Sequence, residues 1–157
     1  MKRFYKSALG VTLLEVMLVL AIAAMIIVMS VRYYQSASSS QQANAVLEQI
    51  QGIVSAADSI SQANGAYTAS VITNSALKPL LPGGGLTTPW GDPITVAYGS
   101  ATTYTIDIGN VPSGVCPLLV SKLSTNNHFS KGGTPFAVSD CTSGAATAIT
   151  ITYTTNP

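Results

Sequence analysis

Residues 11–31 read VTLLEVMLVLAIAAMIIVMSV, an apolar run of 21 residues interrupted by one charge, Glu15. At about 1.5 Å per residue a helix over this run is about 32 Å long, close to the roughly 30 Å hydrocarbon thickness of a bilayer. The run therefore predicts a membrane-spanning helix. A carboxylate in the middle of such a helix costs roughly 2.5 to 3.5 kcal/mol on insertion scales, so Glu15 calls for a partner and a task. Lys2, Arg3 and Lys6 precede the run, and a mostly uncharged polar sequence follows it. By the positive-inside rule the N-terminus faces the cytoplasm and the C-terminal body lies outside.

An ordinary secretory signal fits poorly. Its apolar core is shorter, and a small-residue cleavage site follows that core. Here SVRYYQSASSS leads directly into a second helical pattern, and the conspicuous small residue, Gly10, stands before the core. A cut at Gly10 would discard the basic leader and keep the apolar helix. Without residues 1–10 the side chains balance at four basic (Arg32, Lys78, Lys122, Lys131) against six acidic, a net of −2. Charged residues make up only 8% of the 157, far below the roughly 25% of a soluble domain, and no basic stripe for nucleic acid is present.

Beyond the run, Ala43, Val46, Leu47, Ile50, Ile53, Val54, Ala57 and Ile60 recur at the spacing of an amphipathic helix. No proline occurs between residues 11 and 78, so the pattern predicts one helix from about residue 11 to about residue 62, ended by Asn64-Gly65. The serine-rich stretch at 36–40 is a weak point in its continuity. Gly52 within this helix costs about 1 kcal/mol relative to alanine and marks a kink or a close helix contact. After residue 66 the chain turns to Thr, Val, Ile and Tyr punctuated by Gly and Pro. Residues 94–98, 103–108 and 148–154 alternate with period two and predict antiparallel strands. KPLLPGGGLTTPWGDP reads as a crossing loop with Trp90 as an apolar anchor and Gly91 as a turn, and residues 111–124 can hold a short helix. The one-sided half of the long helix is the natural cover for the sheet.

The N-terminal junction, with Lys2, Arg3 and Lys6, then Gly10, then VTLLEVMLVLAI, resembles the leader and mature N-terminus of type IV pilins and related pseudopilins. The resemblance is specific over about 25 residues and architectural over the remainder. It implies a prepilin peptidase that cuts between Gly10 and Val11 and N-methylates Val11. It also implies that Glu15 meets the amine of a neighbouring subunit in a helical homopolymer, and that an assembly ATPase and an inner-membrane platform act as partners. A buried carboxylate needs such a counter-charge, because an ion left alone costs several kcal/mol. A plainer role stands beside it: Thr12 and Glu15 fit the capping box S/T-x-x-E, in which Glu15 serves its own helix terminus. The apolar Val11 start is more similar to type IVb than to type IVa pilins, although ten residues is a short leader for that class. The stretch TPWGDPITV resembles the Trp-Gly turn of both type IVb pilins and major pseudopilins.

Cys116 and Cys141 form an even pair in a region expected to be exported, which favours a disulfide, worth about 3 to 4 kcal/mol by chain entropy, over two free thiols. The resemblance implies the C-terminal disulfide region of pilins. Two cysteines and the single His128 give no metal-ligand spacing, so no metal or cofactor is expected. His128 lies in the polar STNNHFSKGG and reads as a solvated loop. Asp92, Asp107 and Asp140 have no neighbouring base or nucleophile, and PGGG lacks the residues of a phosphate loop, so no catalytic set is expected.

The expected architecture is α+β: a leader at 1–10, a transmembrane or filament-core helix at 11–31, its amphipathic continuation at 32–63, and a β-rich head at 64–157 with a 116–141 disulfide. The apolar half of the helix is expected to project from the head. The expected function is a structural pilus subunit, anchored in the inner membrane before assembly and extracellular afterwards, with the head exposed for adhesion. A minor pilin or type II secretion pseudopilin is the alternative within the family. A membrane-anchored periplasmic domain that never polymerises is the alternative outside it.

Overall fold

In a computed structural model, residues 12–155 are described, and they fall into two compact units divided between Ala37 and Ser38. Helix α1 (Leu13–Asn64) runs through the serine-rich stretch without a break. Among the described residues of the first unit its side chains are exposed except for the half-buried Ala23 and Ala37. The helix is long and apolar enough there to cross a membrane.

The second unit is an α+β head. A four-stranded antiparallel sheet has the order β1-β2-β4-β3, with β1 (Ile94–Ser100), β2 (Thr103–Val111), β3 (Phe129–Ser130) and β4 (Thr147–Thr154). Register explains the core. Ile94 lies opposite Ile108, and Ile106 opposite both Val96 and Ile151, so alternate side chains from three strands share one buried face. The other face carries Thr95, Thr105, Asp107, Thr150 and Thr152. The C-terminal half of α1 adds Ala43, Val46, Ile50, Ile53 and Ala57 to the core, at the three- and four-residue steps that place them on one stripe. A second helix on the core, α3 (Cys116–Leu123), contributes Leu119, Val120 and Leu123 after a short α2 (Asn74–Leu77) earlier in the chain.

Several turns have identifiable causes. Asn64 is the last helical residue, and Gly65 beyond it takes φ +81°, the left-handed stop that glycine accepts without strain. Gly91, at φ +94°, closes a turn held by Thr88, whose N–H and hydroxyl both donate to the Asp92 carbonyl. The Trp90 indole N–H donates to the Gly109 carbonyl at 3.1 Å, in the irregular register where β2 carries Asn110 at φ +48°. The outer edge of β1 is covered by a side chain. Asn74 accepts the Val96 N–H at 2.7 Å and donates to the Ile94 carbonyl at 3.2 Å, which satisfies backbone groups that would otherwise stay open to another strand.

Two sequence expectations change. The glycine-proline crossing holds two short 3-10 turns, at Lys78–Leu80 and Pro82–Gly84. The polar STNNHFSKGG is not simply a solvated loop, because it contains β3. Phe129 pairs with Tyr153, and His128 is half-buried with its ring stacked on Tyr153 at 5.6 Å. The apolar faces of both rings outweigh the polarity of their neighbours in sequence.

Candidate functional site

Thr12 stands just ahead of α1, and its carbonyl accepts the N–H groups of Glu15 and Val16 at 3.0 and 3.2 Å. Its Oγ1 also accepts the Glu15 N–H, at 3.3 Å. Thr12 is therefore an N-cap, and Glu15 sits three residues later, where the positive end of the helix dipole favours a carboxylate. Among the described residues the Glu15 carboxylate has no hydrogen-bond or ion-pair partner. Around it Leu13, Leu14, Val16, Met17, Leu18 and Val19 are all exposed. Gly10 and Val11, the residues of the expected cut and N-methylation, lie outside the described residues.

The arrangement is one carboxylate on an otherwise apolar, uncovered rod. In water such a surface would be a strong association liability, and in lipid or against other helices it is satisfied except at Glu15. A cation brought to Glu15 from elsewhere would satisfy the remaining group.

Cys116 and Cys141 form a disulfide with Cα atoms 5.9 Å apart, closing a separation of 25 residues. The bond ties the first residue of α3 to the end of a 3-10 turn at Val138–Asp140. Within the closed loop Lys131 pairs with Asp140 at 2.7 Å, and Asp140 also accepts the Ala137 N–H at 3.0 Å. Hydrogen bonds from Lys131 and then from that backbone amide hold the Asp140 carboxyl below its ordinary range.

The other polar candidates are dispersed. Asp107 accepts the Thr150 hydroxyl at 2.6 Å on the sheet face away from the core. The Nδ1 of His128 donates to the Thr154 carbonyl at 2.7 Å. Among the described residues no group of three or more His, Cys, Asp or Glu side chains is placed to hold a metal.

Sequence reasoning missed a tyrosine cluster. Tyr104 meets Tyr67 edge-on at 5.1 Å and Tyr153 at 5.0 Å, and the Tyr67 hydroxyl donates to Asp58 on α1. The Tyr104 hydroxyl is buried and has no hydrogen-bond partner among the described residues. Burial first, then the nearby charges of Tyr67, Asp58 and Tyr153, push its phenol well above the ordinary tyrosine range. Tyr67 is pushed up as well, by burial and then by the hydrogen bond to Asp58. The available signal was the inward phase of Tyr104 and Tyr153 in their strands, which the register places directly opposite each other.

No protein-family model and no curated protein sequence matches the chain.

Proposed function

We propose that the chain is the structural subunit of a type IV pilus, most similar to the type IVb class, made as an inner-membrane precursor and polymerised through its apolar helix. The observation that carries this reading is Glu15, without a hydrogen-bond or ion-pair partner among the described residues, on a helix whose large apolar side chains from Leu13 to Val31 are exposed. Removal of residues 1–10 by a prepilin peptidase leaves a positive amine on Val11. The amine of one subunit then pairs with Glu15 of the next. Moving from lipid to a core of like helices exchanges one apolar surrounding for another, so the van der Waals cost is small and the ion pair fixes the register. The head, with its disulfide-closed loop, remains outside to meet other surfaces.

A second reading is favoured by the Thr12 cap, which accounts for an acidic residue three places into α1 without any neighbour. On that reading the chain is a membrane-anchored domain that stays monomeric. The two differ at Gly10, which capping does not use. Intact-mass measurement of the chain from cells tests the choice: a start at Val11 supports the filament subunit, and an intact leader supports the monomeric anchor. Electron microscopy of sheared surface material separates long pili from the short filaments of a pseudopilin.

A further inference from the structure

We propose that Arg32, Tyr33 and Tyr34 form a girdle that seats in the phospholipid headgroup layer on the non-cytoplasmic side and sets the depth of α1 in the membrane. The proposal rests on the reading that residues 11–31 span the bilayer before assembly. Tyr33 and Tyr34 are 80% and 74% exposed, among the most exposed large side chains of the described chain, and Arg32 is exposed beside them.

Depth arithmetic places them. With the apolar run centred on residue 21, Tyr33 lies about 18 Å from the bilayer midplane along the helix, and about 17 Å if the helix tilts by about 20°. The hydrocarbon ends at about 15 Å from the midplane and the headgroup region at roughly 20 to 22 Å. All three residues therefore fall in the interfacial slab.

Their spacing favours a layer over a single partner helix. Two helices touch through residues three and four apart, which share one face. Arg32, Tyr33 and Tyr34 are consecutive and turn through about 200° of the helix circumference at about 100° per residue. A planar interface surrounds the helix and accepts such a set all round. The chemistry matches: tyrosine holds an apolar ring and a hydroxyl at the wet boundary, and an arginine guanidinium pairs in bidentate fashion with a lipid phosphate. The same girdle resists deeper sinking of α1, because Arg32 would have to enter hydrocarbon.

The test uses the full chain in vesicles of phosphatidylethanolamine and phosphatidylglycerol, with lipids brominated either near the headgroup or near the terminal methyl. Tyr33→Trp reports the girdle, and Ile22→Trp reports the middle of the run. Both are made with Trp90→Phe, and again with Trp90 retained and its own quenching subtracted, so that a head disturbed by the background change does not decide the result. The proposal expects Tyr33→Trp to be quenched about twofold or more strongly by the shallow bromines than by the deep ones, with the order reversed for Ile22→Trp. If Ile22→Trp is quenched by deep bromines while Tyr33→Trp is unquenched, or quenched best by the deep ones, the girdle is overturned and the spanning helix stands. If neither reporter is quenched, the spanning helix falls as well.

Discussion

Reducing the disulfide should cost the head a large part of its stability. Cys116 is fully buried and Cys141 is half-buried, so reduction has to be carried out on the denatured chain before refolding, with the thiols then left as they are. The sequence is unchanged, and the crosslink alone is lost. For the 25-residue separation, chain entropy assigns the crosslink about 12 cal/mol/K, or about 3.5 kcal/mol near room temperature. At about 3 to 5 °C per kcal/mol for a domain of roughly 120 residues, the melting temperature should fall by about 10 to 17 °C. The fall should come from the unfolded chain gaining freedom, since Leu119, Val120 and Leu123 hold α3 on the core through apolar contacts that do not involve the crosslink. The assay is thermal unfolding of the full chain in detergent micelles, followed by the emission of Trp90, the single tryptophan. Its indole N–H is bonded to Gly109 of the sheet, so its signal reports the head. A fall of less than about 3 °C would mean that the loop is already constrained in the unfolded state without the bond, and that the crosslink does not act through chain entropy.

Three further outcomes follow from particular residues. A Cβ added at Gly52 would meet Leu81 at 3.5 Å, an ordinary contact, so Gly52→Ala should stabilise the head by up to about 1 kcal/mol in urea titration. The folded state holds the Tyr104 phenol above its unfolded value, so the associated stability is complete below about pH 10 and lost as pH rises beyond it, at about 1.4 kcal/mol per pH unit. Tyr104→Phe should reduce that alkaline slope and leave neutral-pH stability unchanged or higher, because it removes a buried hydroxyl that has no partner among the described residues. Glu15→Ala should leave membrane insertion intact, as scored by fractionation, and abolish filaments in micrographs; filaments of normal length would remove its proposed role.

Legibility in the sequence tracked how local the physics is. An unbroken apolar run followed by three- and four-residue steps located α1, and alternation located the strands at 94–98, 103–108 and 148–154, because burial of one face imposes these periods. The Asn64-Gly65 stop and the Gly91 turn were legible for the same reason: the left-handed backbone has few occupants. β3 was not legible, since two residues are too short for a period, and Phe129 is recruited by Tyr153 from across the sheet. Asn74 covering the β1 edge and Asp58 meeting Tyr67 were hidden likewise, because they depend on how distant segments meet. At the candidate site, Thr12 and Glu15 were readable from spacing, and the N–H to Oγ1 bond between them is present. The cysteine pair was readable only as favoured, and the structure joins the two. Gly52 was read as a kink or a close helix contact; α1 passes through it as one helix, and the side chain beside it is Leu81, which lies between the two 3-10 turns of the crossing segment.

Everything proposed for assembly turns on what lies against the Glu15 carboxylate in the filament. Cryo-electron microscopy of filaments sheared from cells, at a resolution that shows side chains, measures it directly. Chains should begin at Val11, with each Glu15 carboxylate within about 4 Å of the terminal amine of an adjacent subunit. Filaments in which Glu15 is surrounded only by aliphatic side chains, or in which residues 1–10 are retained, would contradict the proposed assembly.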